Sequence, residues 1–405
     1  MVGFWRHWQG YQALRNVAAE LDLVVTSDAT SEVQESASAA WSGFRSFRVE
    51  RRVLEDVAEL ICSFYLVPED GQPLASFLPG QFLTFRLQIP LQEGSSDFVT
   101  RCYSLSDAPG TSAYRVSIKR VPAPPGSQAA PGVSSNYFHD HVMVGDLLEV
   151  RVPSGHFHID RSDAPVVLIG GGIGITPILS MLNWSLTAQP GREVWLFYGV
   201  RCSSELLMPS HLEALAMAHS NFHLHYCFSD PLAADLVEDP VLHSGRHHSR
   251  VDITLLRRLL PLNPYQFYVC GPTPMLASLV PGLEDWGVPN GRIHFEAFGP
   301  ASVKRKNLTG VPAAPLHCNS TPVVVTFTQS GKQLPWQPEM GSLLNFAEAN
   351  GIPVNSGCRS GACGSCQTSI RVGEVIYTQS PDFDPEPGSC LLCVCTPKTA
   401  VTLEV

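Results

Sequence analysis

The pattern of apolar and polar positions divides the chain into regions of different periodicity. Between residues 44 and 119, short alternating or β-rich runs are separated by turn dipeptides such as Asp70-Gly71 and Pro79-Gly80. Closely spaced runs of this kind predict antiparallel strands that form a barrel. From residue 165 onward, continuous apolar runs alternate with stretches of helical spacing. Such runs are typical of buried parallel strands, and they predict a doubly wound α/β domain.

Residues 322–405 follow a third pattern. An apolar run at 322–328 is followed by a turn at Ser330-Gly331 and by a helix that begins after Ser342 and ends at Gly351. Serine before a helix and glycine after it are common end signals, so this order predicts strand, turn and helix. The changes of pattern place the domain boundaries at 1–43, 44–160, 161–300, 301–321 and 322–405. The first of these is predicted to be a partly flexible extension and the fourth a semi-rigid linker.

The composition is that of a soluble globular protein, with 44% hydrophobic and 16% charged residues. A formal net charge of −10 argues against nucleic acid as a partner. No stretch reaches the roughly 18 apolar residues of a membrane helix, and the N-terminus lacks the apolar core of a signal peptide. The cysteines outside the C-terminal region form no disulfide-like framework, which predicts a reducing, cytoplasmic location.

The strongest chemical motif lies near the C-terminus. Cys358, Cys363 and Cys366 have the spacing C-x4-C-x2-C, the plant-type spacing for a [2Fe–2S] cluster. Small residues between them predict a loop that wraps the cluster with its amides turned toward sulfur. A zinc site is disfavoured because no second CxxC or histidine pair completes a tetrahedron. From the residues alone, the fourth thiolate is Cys390, Cys393 or Cys395.

One strand of the predicted barrel contains Arg101, Tyr103 and Ser104. Such a strand can contact a flavin nucleotide in three places, with arginine at the pyrophosphate, tyrosine on the isoalloxazine and serine near N5. Further along, a glycine-led turn opens a helix with the sequence Ser134-Ser135-Asn136. Because free amides at such a turn suit a phosphate, the two motifs together predict a flavin site.

The first apolar run of the second domain ends in a glycine-rich turn, residues 170–177, with the pattern GGGxGxTP. A helix follows with proline in its first turn, and its N-terminal amides suit the pyrophosphate of a nicotinamide dinucleotide. This pattern differs from the G-x-G-x-x-G fingerprint, so the acidic ribose contact of that motif is not expected. A later apolar run ends in Cys270-Gly271-Pro272, where glycine permits close approach of a ring.

These motifs resemble those of the ferredoxin–NADP⁺ reductase superfamily. The residues that carry the resemblance are Pro79-Gly80-Gln81, Arg101-Cys-Tyr103-Ser104, Ser134-Ser135-Asn136, Gly145-Asp146, residues 170–177 and Cys270-Gly271-Pro272. The likeness is closest to the reductase half of flavohaemoglobins, from residue 44 to the ending Glu296-Ala-Phe298-Gly-Pro300. Residues 322–405 resemble plant-type [2Fe–2S] ferredoxins. Together the two resemblances cover about nine-tenths of the chain, and this combination is similar to the reductase components of oxygenases.

The resemblance implies a fold and a set of site residues. The fold would be an antiparallel β-barrel FAD domain, an α/β doubly wound NAD(P) domain and a β-grasp [2Fe–2S] ferredoxin domain. The implied flavin contacts are Gln81, Arg101, Tyr103, Ser104, Ser134, Ser135, Asn136 and Phe298. The implied dinucleotide contacts are Gly171, Gly172, Gly174, Thr176, Gly271 and Pro272, to which the residues after the second strand add Arg201 and Ser204. Ser104, Cys270 and Phe298 would flank the hydride path, with Phe298 displaced when nicotinamide enters. The cluster ligands would be Cys358, Cys363, Cys366 and Cys393, because a proline and a closing strand follow the last ligand in ferredoxins.

The implied function is that of an NAD(P)H-dependent electron-transfer reductase. Electrons would pass from nicotinamide through FAD and a [2Fe–2S] cluster to a partner metalloenzyme, with a Rieske-type oxygenase as the first candidate. A diiron or haem protein, including one that detoxifies nitric oxide, is an alternative acceptor, and a redox sensor is an alternative function. Flavohaemoglobin-like character favours NADH, while Arg201, Ser203 and Ser204 offer the basic, hydroxylic pocket that NADPH needs. FMN in place of FAD also stays open.

Overall fold

A computed structural model describes most of the chain. The described residues are 40–90, 96–123, 131–236, 244–298, 322–357, 359, 361, 364–378, 381 and 385–405. The strands are β1 Arg45–Leu54, β2 Ile61–Pro68, β3 Phe82–Pro90, β4 Ser96–Ser104, β5 Tyr114–Lys119, β6 Leu147–Val150, β7 Val166–Gly171, β8 Val194–Val200, β9 Phe222–Phe228, β10 Ser244–His247, β11 Gln266–Gly271, β12 Ile293–Ala297, β13 Val323–Phe327, β14 Lys332–Trp336, β15 Gln367–Val372, β16 Val375–Tyr377, β17 Ser389–Leu391, β18 Cys395–Pro397 and β19 Val401–Leu403. The α-helices are α1 Val133–His141, α2 Ile175–Ala188, α3 Pro209–Ala218, α4 Ile253–Leu259, α5 Thr273–Asp285 and α6 Leu343–Ala349. The predicted linker 301–321 and nearly all of the predicted extension 1–43 lie outside the described residues.

The first six strands form an antiparallel sheet in the order β4-β3-β6-β1-β2-β5. A bridge between Leu105, just after β4, and Val116 of β5 brings the two edge strands together. The interior is filled by aromatic rings, and Phe47, Phe64 and Phe85 are fully buried. The predicted antiparallel barrel is confirmed by this strand order and by the bridge between its edge strands.

The second sheet is parallel throughout, in the order β10-β9-β8-β7-β11-β12. All residues of β7 are buried. Helices cover both faces, with Leu179 of α2 and Leu212 of α3 in one core and Leu256 of α4 and Leu279 of α5 in the other. The predicted doubly wound domain is confirmed. From β7 the chain continues to β8 on one side, and it later adds β11 on the other side of β7. The strand order therefore reverses between β7 and β11, and such sheets bind ligands in the crevice at this point.

The third region is a small mixed sheet in the order β14-β13-β19-β15-β17, with a separate pair of β16 and β18. The Ser342 hydroxyl caps α6 by accepting a hydrogen bond from the Asn345 amide, as the sequence predicts. α6 packs its buried residues Leu343, Leu344 and Phe346 into the same core as Phe327. Strand, turn, helix and closing strand in this order confirm the predicted β-grasp.

None of the helices in the described ranges is both long and apolar enough to span a membrane.

A stacked group of aromatic and histidine rings covers the edge of the parallel sheet. The His225 ring lies parallel to Trp195 and Phe197, at centroid distances of 5.6 and 4.9 Å. Its Nδ1 is 3.1 Å from Nε2 of His247 on β10. A Cβ at Gly245 would come within 2.3 Å of this imidazole, so the edge strand needs glycine there. Burial, together with the charges of His247 and His223, lowers the pKa of His225 to about 4.

We expect the melting temperature of this domain to fall as pH falls from about 6.5 toward about 4. Over that range the unfolded imidazole takes up a proton that the folded one excludes, so acid favours the unfolded state. The variant His225→Phe keeps a ring between Trp195 and Phe197 but removes the titration. Calorimetry of both proteins at about pH 7.5 and about pH 5 should therefore give a smaller shift for the variant. Equal shifts would contradict the assignment.

Candidate functional site

The carboxyl ends of β7 and β11 are held together by contacts that only glycine allows. A Cβ on Gly174 would lie 2.4 Å from the carbonyl oxygen of Cys270, and one on Gly271 would lie 2.5 Å from Cε of Met275 and 3.0 Å from Cα of Gly171. The two turns that the sequence assigns to dinucleotide binding are therefore adjacent. Glycine is required here because the two turns pack against each other and against Met275 without a side chain between them.

The N-terminus of α2 faces this edge. The turn Gly172–Gly174 runs directly into it, and the amide of Ile175 donates to the carbonyls of Gly172 and Ile173, so the glycine turn itself is the candidate anion site. Gly172 has φ +53° and has nothing within 4 Å of its would-be Cβ, so this turn faces open space. The Thr176 hydroxyl donates to the carbonyl of Ile173 at 3.0 Å, which braces the turn from within.

Cys270 and Phe298 lie near the carboxyl ends of the adjacent strands β11 and β12, and they differ in exposure. Cys270 is fully buried at the end of β11, and burial, reinforced by Glu296, raises the pKa of its thiol well above its ordinary value. Phe298 directly follows Ala297, the residue that pairs with Gly271 across β11 and β12, and its ring is 42% exposed. The exposure argues against a core aromatic, and the proposed role of Phe298 as a cover for the flavin stays a prediction. Pro272 caps α5, which begins at the same place.

The two predicted flavin motifs meet in the barrel. The Tyr103 hydroxyl on β4 is 2.9 Å from the Ser134 hydroxyl on α1. The Tyr103 ring packs edge-on against Phe85 and Phe138 at 5.8 and 5.2 Å. Burial raises the pKa of Tyr103 to about 12 despite its bond to Ser134, so the phenol is neutral. Residues that are distant in sequence thus form one surface, as a shared ligand requires.

Ser104 and Gln81 are neighbours on the paired strands β3 and β4. Ser104 is buried opposite Phe82, and the amide of Leu105 donates to the carbonyl of Gln81 at 2.9 Å. The Gln81 side chain accepts from the Leu78 amide at 2.8 Å and donates to the Gly155 carbonyl at 3.3 Å. Gln81 therefore braces the turn before β3, while its backbone contacts the chain just after the end of β4, the strand with the flavin motif.

The first turn of α1 has no side-chain cap. Asn136 donates to the carbonyls of Gly132 and Val121 at 2.7 and 3.0 Å, and the Ser135 hydroxyl accepts from the Val121 amide at 3.3 Å. These bonds hold the turn and leave its leading amides for an anion, as predicted for a phosphate site. Arg101, three residues before Ser104 on β4, is exposed and donates to the carbonyl of Thr100 at 2.7 Å.

The residues after β8 include an acid that sequence reasoning missed. Arg201 forms an ion pair with Glu205, whose carboxylate also lies 2.6 Å from Nε of Arg201. Burial opposes ionisation of Glu205, but Arg201 and the charge of Lys119 outweigh it and lower the pKa. The Ser204 hydroxyl is 3.1 Å from the Cys202 thiol. The i, i+4 spacing of Arg201 and Glu205 was the available signal.

A second carboxylate lies beside this pair. Asp235 is 2% exposed and accepts hydrogen bonds from the amides of Ser203 and Leu232 at 3.1 and 2.9 Å. Burial opposes its ionisation too, but these amides lower the pKa of Asp235. The carboxyl end of β8 is therefore acidic as well as basic, which the residue types chosen from the sequence did not indicate.

The cysteine loop is described in part, and Cys358 and Cys363 lie outside the described residues. Arg359, Gly361 and Gly364 have φ of +58°, +79° and +73°, so these three described residues lie in the left-handed region. Arg359 is held by an ion pair with Glu348 of α6. Left-handed residues of this kind are common where backbone amides converge on an anion or an iron–sulfur cluster.

The loop is tied to the segment that contains the candidate fourth ligands. The Leu392 amide donates to the carbonyl of Cys366 at 3.2 Å. Cys390 and Cys395 are fully buried, and the hydrogen bond between their thiols, with burial, raises the pKa of Cys395. Cys393 is half-buried on the single turn Leu392–Val394 between them. Because the flanking thiols face the core and each other, Cys393 remains the proposed fourth ligand with Cys366.

Comparison with protein families finds two modules. Residues 168–280 match the family "Oxidoreductase NAD-binding domain", and residues 325–398 match the family "2Fe-2S iron-sulfur cluster binding domain". The second match contains all four described cysteines of the C-terminal region, and the first contains the glycine contacts between β7 and β11.

Relatives of known name cover the reductase part. The chain is 35% identical over 298 residues to a flavohemoprotein of Halalkalibacterium halodurans, covering 73% of this chain and 68% of the relative. It is 38% identical over 276 residues to a flavohemoprotein of Bacillus thuringiensis, covering 67% of this chain and 66% of the relative. The chain thus spans about two thirds of the length of the curated relatives it matches.

Two solved structures complete the comparison. One is the flavohem-like FAD/NAD binding domain of nitric oxide dioxygenase from Vibrio cholerae, with 30% identity, a TM-score of 0.53, and coverage of 63% of this chain and 99% of that one. The other is phthalate dioxygenase reductase, described as a modular structure for electron transfer from pyridine nucleotides to [2Fe–2S]. It has 26% identity and a TM-score of 0.52, and the match covers 90% of this chain and 98% of that one. The second therefore includes the cysteine-rich domain.

We predict that Cys393→Ser abolishes the [2Fe–2S] signal while Cys390→Ser and Cys395→Ser keep it. The reason is that Cys393 alone of the three is partly exposed, whereas Cys390 and Cys395 are fully buried and hydrogen-bonded to each other. Electron paramagnetic resonance of the reduced proteins, with iron and sulfide content, measures the outcome. A cluster that survives the loss of Cys393 would overturn the ligand assignment.

Proposed function

Because this chain belongs to the ferredoxin–NADP⁺ reductase superfamily, we propose that it passes electrons from NADH to a separate metalloprotein. It joins a flavohaemoglobin-reductase-like FAD- and NAD-binding module to a plant-type [2Fe–2S] ferredoxin domain. Its oxidoreductase class and its use of FAD, NADH and a [2Fe–2S] cluster follow from that membership. The observation that carries the electron route is a hydrogen bond from Nη1 of Arg101 to the carbonyl of Ser356 at 3.4 Å. It joins the flavin strand to the loop that leads into the cluster cysteines.

When bound, the nicotinamide supplies a hydride, the FAD accepts two electrons and releases them singly, and the cluster carries one electron at a time. The protein's part is to hold the reacting rings about 3–3.5 Å apart. We assign the pyrophosphate of the dinucleotide to the glycine turn Gly172–Gly174 that leads into α2, and the ring to the neighbouring turn at Gly271 and Pro272. Arg101 would neutralise the flavin pyrophosphate, and buried Ser104 would donate a hydrogen bond near the reacting nitrogen.

For the acceptor, we favour a terminal oxygenase of the Rieske type. Phthalate dioxygenase reductase supports this choice, because its likeness extends over 90% of this chain and includes the cysteine-rich domain. Mixing the reduced protein with a purified Rieske oxygenase, and in parallel with cytochrome c, tests it. Rapid reoxidation by the oxygenase at low concentration supports the proposal, and reoxidation by cytochrome c alone counts against it.

A haem protein is the second candidate acceptor. The observation that favours it is the higher identity, 35%, to a flavohemoprotein over the FAD- and NAD-binding region. Rapid electron transfer to a ferric globin, and nitric oxide consumption by the mixture, would favour this acceptor over the oxygenase.

An anaerobic titration with NADH, followed by optical absorption and electron paramagnetic resonance, tests the electron route. We expect both the flavin and the iron–sulfur bands to bleach and a reduced [2Fe–2S] signal to appear. Dithionite serves as the control that reduces both groups without the dinucleotide site. Flavin bleaching without the cluster signal, where dithionite does produce it, would mean that the cluster is not the exit.

The acidic end of β8 supports NADH as the donor. A 2′-phosphate at the ribose would lie among the carboxylates of Glu205 and Asp235, both of which have a lowered pKa and are ionised. The arginine that suits a phosphate, Arg201, is already neutralised by Glu205. Like charges in a half-buried site repel, so NADPH should bind less well than NADH.

We predict that Glu205→Gln raises the ratio of kcat/KM for NADPH to that for NADH by about tenfold, because it removes one negative charge and frees Arg201. Steady-state rates of flavin-mediated dye reduction with each donor give the ratio. Glu193→Gln is the matched control, since it removes the same charge just before β8, at the opposite end of that strand. An unchanged ratio in Glu205→Gln would show that this end of the strand does not face the ribose.

A further inference from the structure

Asp107 joins the barrel to the parallel-sheet domain through a group of buried polar side chains. It lies three residues after Ser104, just beyond the flavin strand. The Ser180 hydroxyl of α2 donates to its main-chain carbonyl at 2.6 Å, and Nδ2 of Asn183 donates to its Oδ1 at 2.9 Å. Two successive turns of α2 are therefore fastened to one residue of the barrel.

The barrel holds Asp107 in turn. Nη1 of Arg115 lies 3.4 Å from Oδ2 of Asp107, and the Arg115 side chain is only 5% exposed. The same guanidinium donates to the carbonyl of Ser106 and, at 3.1 Å, to the Ser106 hydroxyl. The aspartate is thus fixed from both sides of the domain boundary, which a surface ion pair would not achieve.

The hydrogen bonds that link His211, Asn183 and Asp107 all run in one direction, with donors directed toward Asp107. Because Nδ2 of Asn183 donates to Asp107, its Oδ1 faces Nε2 of His211 at 3.0 Å, and that nitrogen must therefore carry the hydrogen. Burial, reinforced by the charge of Arg115, lowers the pKa of His211, so the imidazole is neutral and the tautomer is fixed. His211, Asn183, Ser180 and Arg115 all direct donors, in one or two steps, toward Asp107.

α2 is the element that this group orients. Its N-terminus holds the dinucleotide in the proposed function, and Ser180 follows Thr176 by one turn, about 6 Å along the axis. Ser104, proposed to lie at the flavin nitrogen, is three residues from Asp107 on the other side. The connection from one reacting ring to the other therefore runs through a few short, partly buried bonds.

We propose that Asp107 is a positioning residue that sets the separation and overlap of flavin and nicotinamide, acting through Asn183 and Ser180. The inference rests on the proposed function, because it concerns the same hydride transfer. A positioning role of Asp107 and a purely structural role predict different effects on the kinetics. Loss of the group should slow the hydride step much more than it weakens dinucleotide binding, since α2 itself would still present its amides.

The test is anaerobic stopped-flow reduction of the flavin by NADH in Asp107→Asn, Asn183→Ala and the double variant. We expect the limiting rate to fall about tenfold in each single variant, with less than about a twofold change in the dissociation constant. The charge-transfer absorbance of the stacked rings should weaken in parallel. Because the residues act as one unit, the double variant should be little slower than either single one.

Two further variants complete the design. Glu149→Gln is the matched control, because Glu149 forms a bidentate pair with Arg86 at 2.6 and 2.7 Å between two strands of the barrel. It should leave the rate and the absorbance unchanged. Ser180→Ala removes one donor and keeps the aspartate, so it serves if Asp107→Asn loses its flavin, and a several-fold slower hydride step is expected for it too.

The outcomes separate this inference from the proposed function. If NADH fails to reduce the flavin of the wild-type protein while dithionite succeeds, the proposed function fails. If the wild type is reduced and Asn183→Ala and Ser180→Ala match its rate and its charge-transfer band, the positioning role of Asp107 is overturned. Weaker NADH binding with an unchanged limiting rate overturns it as well.

Discussion

The close approach of two backbone turns at the carboxyl edge of the parallel sheet is the constraint on which the rest of the structure depends. A Cβ on Gly174 would meet the carbonyl of Cys270 at 2.4 Å, so β7 and β11 can end side by side only with glycine between them. Because α2 starts at this contact, its direction is fixed relative to β11. One backbone contact therefore shapes the dinucleotide edge and also aims the helix whose later turns reach the barrel.

Much of the fold follows from sequence, because each region has its own periodicity. Alternating residues around Phe47 and Phe85 predict the barrel, and the continuous apolar run of β7 predicts a strand covered on both faces. Short or polar strands carry no such signal. β10, Ser244–His247, contains Gly245 because the His225 ring lies against it, and only the packed structure reveals that need.

The candidate site divides in the same way. Motifs with a local mechanism, such as the glycine turn around Gly174, can be identified from spacing, because backbone conformation alone creates the site. Pairings between distant segments cannot. Glu205 changes the meaning of Arg201, and Asp107 acquires its partners from α2, through contacts that depend on tertiary packing. For the fourth cluster ligand, spacing leaves three cysteines, and the mutual burial of Cys390 and Cys395 distinguishes them from Cys393.

The two electron-transfer steps make different demands on the protein, and the contacts differ accordingly. Hydride transfer needs the reacting atoms about 3–3.5 Å apart, so a small displacement of either ring is costly. The boundary between flavin and dinucleotide modules contains fully buried Ser180 and a bond of 2.6 Å to Asp107. Single-electron transfer to the cluster needs no such atomic contact. There the described bond, from exposed Arg101 to Ser356, is a long one of 3.4 Å. Among the described residues, a short bond joins the modules whose rings must overlap precisely, and a long, exposed bond reaches the cluster domain, to which an electron needs only proximity.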